Sequence, residues 1–147
     1  MITYLCMTAP IAVASVISWL KNPFKGNKRE VTVNKLSLKE YAVLLSLTFA
    51  VTVAFFFILR ALHTANLAWS TVSVATSFLA AVLTFRRSPL YAVAYACNDA
   101  VLIVLWALAA AGNTEYVALV VCFAVFLVED TYGFICWTLR RKRQQQA

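Results

Sequence analysis

The chain has 147 residues, of which 63% are hydrophobic and only 13% are charged, and its mean hydropathy is +0.78. This composition lies far from that of an average globular domain and is typical of an integral membrane protein. The net charge of +7 would suit a nucleic-acid partner, but the chain offers no soluble domain that could present a basic surface. We therefore expect no nucleic acid and take the lipid bilayer as its surroundings.

Five apolar segments predict five transmembrane helices, because each is close to the roughly 20 residues that a spanning helix needs. They cover residues 2–20, 41–62, 66–85, 90–111 and 116–139. We interpret the first as a retained helix rather than a signal peptide, since no basic residue precedes it and Lys21 and Lys25 follow it. The predicted fold class is an all-α integral membrane protein.

The basic residues orient this bundle. All of the 13 Lys and Arg residues except Arg60 follow helices one, three and five. With five spans these three positions share one side of the membrane, and the positive-inside rule makes that side cytoplasmic. The sequence therefore predicts a multi-pass protein of the cell membrane with its N-terminus outside and its C-terminus inside.

The connection after helix one is the longest in the chain. Residues 21–36 are polar and basic and include Pro23 and Gly26, which indicates a cytoplasmic loop. Ser37 and Glu40 have the spacing of a capping box and predict the start of helix two. Residues 144–147 form a polar tail for which we expect no structure.

Cysteine and histidine give no sign of an enzyme or of a metal site. His63 lies near Arg60 and suits an interfacial position. The cysteines fall inside predicted helices without metal-ligand spacing, as small packing residues do. They are Cys6, Cys97, Cys122 and Cys136. We therefore expect no cofactor, no metal and no catalytic residue.

Three of the six acidic residues lie inside predicted spans. An ionisable group at bilayer depth costs about 2.5 to 3.5 kcal/mol even on lenient insertion scales, so it indicates a functional or pairing site that faces away from lipid. One face of helix four combines such an acid with aromatic rings and an amide, and helix five repeats the pattern. The candidate substrate-binding residues are Tyr95, Asn98, Asp99, Trp106, Glu129, Asp130 and Trp137.

Structural roles are open for several of these residues. Trp137 and Tyr91 lie near arginines and can serve as interfacial anchors. Asn98 and Asp99 can have structural roles as well. The acids of helix five can instead bond to the hydroxyls of a polar stripe on helix three. That stripe consists of Ser70, Ser73, Ser77 and Thr84.

Three motifs resemble those of the PnuC-type vitamin transporters, whose best-known substrate is nicotinamide riboside. They are TFRRSP at residues 84–89, YACND at 95–99 followed by VLIVLW at 101–106, and DTYG at 130–133 followed by Trp137. The resemblance implies two three-helix bundles joined by a linking helix, as in the SWEET sugar transporters. It also implies a homo-oligomer, such as a trimer.

On this resemblance residues 1–36 hold the last helix of a first bundle and the basic loop. Residues 37–63 are the linking helix and residues 64–143 are the second three-helix bundle. Two helices of the first bundle have no counterpart in this chain. Trp19 of helix one takes the position equivalent to Trp137 of helix five.

The implied activity is facilitated diffusion of a cationic vitamin by alternating access. Aromatic rings would stack on the substrate ring, while Asn98, Asp99 and Asp130 would bond ribose hydroxyls or balance the positive charge. Thiamine is a second flat cation that fits this chemistry. The chain departs from the family where Glu129 precedes Asp130 in place of an asparagine, and at Ala12, where a polar residue is expected.

Two other classes remain open. The chain can be a truncated, non-transporting membrane subunit that only packs against partners. A small proton-coupled multidrug exporter also uses a membrane carboxylate, but five spans and a first helix without an acid argue against it.

Overall fold

The computed structural model describes residues 7–24, 27–34 and 36–146. In chain order its elements are helix α1 (Ala9–Lys21), strands β1 (Pro23–Phe24) and β2 (Asn27–Val31), and helices α2 (Leu38–Ala61), α3 (Leu67–Phe85), α4 (Tyr91–Ala110) and α5 (Val117–Gln146). A short 3-10 turn (Thr114–Tyr116) precedes α5. The five helices confirm the predicted fold class.

Helices α2 to α5 are long and apolar enough to cross a membrane. Helix α1 has 13 residues, and residues 2–6, where its predicted span begins, lie outside the described part of the chain. The capping box that was predicted to start helix two is present. The Ser37 hydroxyl accepts from the Glu40 backbone N–H at 3.4 Å, and the Glu40 carboxylate accepts from the Ser37 N–H at 2.8 Å.

Helix α3 is the centre of the fold and packs against α1, α2 and α4. Its contact face is built from small residues, since Ala80 and Ala81 are 0% and 3% exposed. Small side chains let helix backbones approach closely, which is how helices associate where lipid removes the hydrophobic driving force. Ala80 and Leu83 of α3 form a buried cluster with Leu44 of α2 and Ala94 of α4.

Helix α4 lies between α3 and α5 and packs closely against both. In the described part of the chain, α3 and α5 are not themselves a closely packed pair. Helix α4 therefore separates α3 from α5.

The basic connections meet at one end of the bundle, which we call the basic end. There the Asn34 N–H donates to the Arg87 carbonyl at 3.1 Å, and Arg86 forms an ion pair with Glu40. The opposite end, which holds Arg60 and His63, is called the distal end. This arrangement agrees with the sequence-based expectation that the basic connections share one side.

Two details at the basic end correct the sequence analysis. The expected loop after α1 contains a two-stranded antiparallel ribbon, in which Pro23 pairs with Val31. The expectation that residues 144–147 are unstructured was wrong for its first three residues, because α5 continues to Gln146. Glutamine is a good helix former, and the Gln144 carboxamide also bonds the ribbon: it accepts from the Val33 N–H and donates to the Val31 carbonyl, both at 3.0 Å.

Candidate functional site

The predicted site residues of α4 are spread along the helix. Asn98 and Asp99 are 6% and 4% exposed, and Tyr95 and Trp106 are half-buried. Eleven residues separate Tyr95 from Trp106, which corresponds to about 17 Å along the helix axis. One small ligand cannot contact both rings at once, so the single predicted face divides into two regions.

At the basic end the aromatic side chains form a connected cluster. The rings of Trp19 and Trp137 are 5.5 Å apart at an interplanar angle of 54°. Tyr91 meets Trp137 edge-on at 5.3 Å and Tyr95 at 6.2 Å, and the Arg140 guanidinium lies 5.4 Å from the Trp137 ring. Edge-to-face and tilted pairs of this kind are the favoured aromatic geometries. Trp19 and Trp137, which the sequence analysis placed at equivalent positions, are thus in contact.

A cavity of about 220 Å³, the basic-end cavity, adjoins this cluster. It is bordered by Trp19, Tyr95 and Ser15, and the Trp19 indole N–H is already used to donate to the Thr84 carbonyl at 3.0 Å. Ala12 also lines it, at the position where the family pattern predicts a polar residue. On the α1 side of this cavity the polar side chains besides Trp19 are therefore Thr8 and Ser15.

Asp99 and Asp130, together the acid pair, face each other across the contact between α4 and α5. Their carboxyl groups are close enough for a side-chain hydrogen bond. Asp130 also lines an open groove of about 300 Å³ between the two helices, together with Cys97. Glu129 is exposed and lines neither the basic-end cavity nor this groove. Of the three membrane acids, the structure brings together two.

Asn98 serves as an acceptor for α3. Its side-chain oxygen accepts from the Thr76 hydroxyl at 2.8 Å and from the Ser77 hydroxyl at 2.9 Å. A structural bond to the hydroxyls of helix three was one of the interpretations open for Glu129 and Asp130. In the described part of the chain, the Asn98 amide makes such bonds.

A second and larger cavity, the distal cavity, has a volume of about 670 Å³ and lies between α3, α4 and α5. Trp106 borders it, and its ring is 5.4 Å from that of Tyr116 at 39°. The Trp106 indole N–H is buried without a hydrogen-bond partner, while Ser73 and Ser77 supply hydroxyls to the wall. The volume suits a small molecule, since ligand pockets span about 300 to 1,000 Å³.

Sequence reasoning missed part of this wall. Tyr116 was interpreted only as the start of the fifth span, and Asn66 only as the start of the third. The sequence did contain a signal for their place in the wall. Asn66 lies in the short connection before α3 and Tyr116 in the short connection before α5, and both connections are at the same end of the bundle as Trp106. The described residues contain no group of three metal-ligating side chains.

Apolar helices of membrane length that enclose cavities and buried carboxyl groups define a multi-pass membrane protein. The chain belongs to the nicotinamide mononucleotide transporter family, whose sequence model matches residues 1–139. This confirms the resemblance found in the motifs.

Among solved structures, the chain is similar to the crystal structure of the vitamin B3 transporter PnuC, with 23% identity and a TM-score of 0.78. The match covers 98% of this chain and 63% of that chain. No curated protein matches the chain. Both the family and the structural neighbour are transporters and not enzymes.

Proposed function

We propose that the chain carries nicotinamide riboside or a related flat cationic vitamin across the cell membrane by facilitated diffusion with alternating access. The observation that carries this proposal is the arrangement along α4: aromatic residues border a cavity toward each end of the helix, and the buried carboxyl group of Asp99 lies between these two regions. Membership of the family and the likeness to a vitamin B3 transporter support the substrate class.

The roles of the residues follow from their positions. In the distal cavity a flat ring would stack on Trp106 and Tyr116, and each face would add about 0.5 to 2 kcal/mol of attraction to a cation. The serine hydroxyls of α3 would bond the sugar. The acid pair would then balance the positive charge, and Tyr95 with Trp19 would receive the ring in the basic-end cavity.

The orientation is part of the proposal. We infer that the basic end is cytoplasmic, because the positive-inside rule applies to short connections of this kind. The distal cavity then opens toward the outside, and vitamin uptake would run from the distal cavity to the basic-end cavity. The exposed apolar faces of α2 and α5 would contact lipid or further copies of the chain in a homo-oligomer.

Calorimetry on the detergent-purified chain tests the proposal, with nicotinamide riboside as ligand and thiamine as competitor. We expect saturable binding that Trp106→Ala weakens about tenfold, because one stacking and cation–π contact is lost. Asp99→Asn should also weaken it, since it removes charge that balances the cation.

The matched control is Trp69→Ala. Trp69 is a tryptophan of α3 that is 39% exposed and lines neither the basic-end cavity nor the distal cavity. Its loss should leave the affinity unchanged. Absence of binding heat in a folded sample would contradict the proposal and favour the alternative, a non-transporting membrane subunit.

A further inference from the structure

The acid pair lies within the membrane-length helices α4 and α5. Asp99 is 4% exposed, and its Oδ2 atom is buried without a hydrogen-bond donor in the described part of the chain. The carboxyl group of Asp130 lies within hydrogen-bond reach of the Asp99 carboxyl group. If both groups are ionised, two carboxylates that can only accept hydrogen bonds face each other, and neither can donate to the other.

The described part of the chain places no positive charge beside the acid pair that would resolve this conflict. No titratable side chain comes from α3, since Leu67–Phe85 contains none. On α4 the nearby groups are Tyr91, Tyr95 and Cys97, which carry no positive charge. On α5, Glu129 adds another acid beside Asp130, and the Arg140 guanidinium is placed over the Trp137 ring.

Two ionised carboxylates within hydrogen-bond reach repel each other strongly in a poorly solvated site, so one of them is kept neutral. A buried carboxylate oxygen without a donor is costly as well. Both difficulties disappear if one carboxyl keeps its proton, because its O–H then donates to the facing carboxylate. Such a charge-assisted hydrogen bond is short and strong.

We propose that Asp99 and Asp130 form a proton site, in which the two carboxyl groups share one proton at neutral pH. The acid pair then carries a single negative charge in the resting protein. A single negative charge matches one positive charge on a ligand, a connection that rests on the proposed function. The proton site itself does not depend on any ligand.

Difference infrared spectroscopy of the full chain in lipid nanodiscs tests this proposal without substrate. The carbonyl stretch of a protonated carboxyl group is followed as the pH is raised and lowered. We expect the parent protein to show this band at neutral pH. Asp130→Asn should abolish it there, because the asparagine amide donates to Asp99 and stabilises its ionised form; Asp99→Asn should act in the same way on Asp130.

The control is Glu115→Gln, which changes an exposed acid in the 3-10 turn outside the spanning helices and should leave the neutral-pH band intact. The proposal is overturned if the folded parent shows no such band. It is also overturned if Asp130→Asn keeps the band unchanged, since burial of Asp99 alone would then hold the proton. Loss of the band in Glu129→Gln would overturn it as well, because the proton would then belong to Glu129. Because no ligand is added, a failure of the transport proposal cannot produce any of these results.

Discussion

The two ends of α4 carry the same kind of side chain and use it differently. At the basic end, Tyr91 and Trp137 are packed against each other and against Trp19. At the distal end, Trp106 contacts Tyr116 and otherwise borders a cavity of about 670 Å³. Aromatic rings at one helix face can therefore hold helices together in one region and line a binding space in another. Burial distinguishes the two tryptophans, since Trp137 is 7% exposed whereas Trp106 is only half-buried.

The largest effect should come from Trp137→Ala. Truncation of this buried ring removes its contacts with Trp19, Tyr91 and Arg140 and leaves a cavity where α1, α4 and α5 meet. Large-to-small changes of this type cost about 3 to 5 kcal/mol. Denaturant unfolding in mixed micelles, followed by circular dichroism, should show a loss of free energy of unfolding of about 3 kcal/mol.

Trp106→Ala is the matched comparison for this prediction. Its ring already borders open space, so its removal enlarges an existing cavity instead of creating one. We expect less than half of the loss seen for Trp137→Ala. Equal losses at both positions would mean that the distal region is packed as tightly as the basic end, and the distinction between them would fail.

The positions of the helices could be predicted well from the sequence, because apolar length is a strong signal in a membrane protein. Residues 66–85 were predicted for the third span, and the helix covers Leu67–Phe85. The capping box placed the start of α2 for a local physical reason, since Ser37 and Glu40 satisfy each other's backbone donors. Local patterns of this kind need no knowledge of the neighbouring helices.

The contacts of the site could not be predicted in the same way. Helical periodicity shows which residues share a face, but not how far each helix is rotated toward its neighbours. The polar face of helix four was identified, yet the pairing of Asp99 with Asp130 and the bond of Asn98 to Thr76 depend on that rotation. The bonds of Gln144 to the ribbon lacked any signal in the sequence, because a polar helix end carries no hydrophobic pattern.

Between the two ends, Asn98 joins α4 to α3. Asn98→Ala should leave the half-buried Ser77 hydroxyl without its acceptor. Hydrogen bonds between membrane helices contribute about 1 kcal/mol, so the free energy of unfolding should fall by about that amount. The same unfolding assay measures it.

A double-mutant cycle with Ser77→Ala sharpens this prediction. The two substitutions should be less than additive, because they remove the same hydrogen bond. Ser73→Ala is the control, since this serine lines the distal cavity and makes no side-chain bond to Asn98. Full additivity for Asn98 and Ser77 would show that the observed bond does not stabilise the helix pair.

The smallest effect concerns the ribbon at the basic end. Gln144→Ala removes both hydrogen bonds from the carboxamide to the ribbon, so the Val33 amide becomes free to exchange. One neutral hydrogen bond contributes about 1 kcal/mol, which corresponds to about fivefold faster hydrogen exchange at Val33. Global stability should change by less than about 0.5 kcal/mol, because the bonds hold an exposed connection and not the core.

Two further variants interpret this result. Gln144→Glu separates the accepted hydrogen bond from the donated one, and Gln145→Ala tests for a general effect on the helix end. A glutamate keeps the acceptor for the Val33 N–H but loses the donor to the Val31 carbonyl, so exchange at Val33 should rise less than in Gln144→Ala. Gln145 is exposed on the next position of α5, and its loss should leave exchange unchanged. If Gln145→Ala accelerates exchange at Val33 as much as Gln144→Ala does, fraying of α5 controls the ribbon, and the basic end owes its order to the helix rather than to the Gln144 side chain.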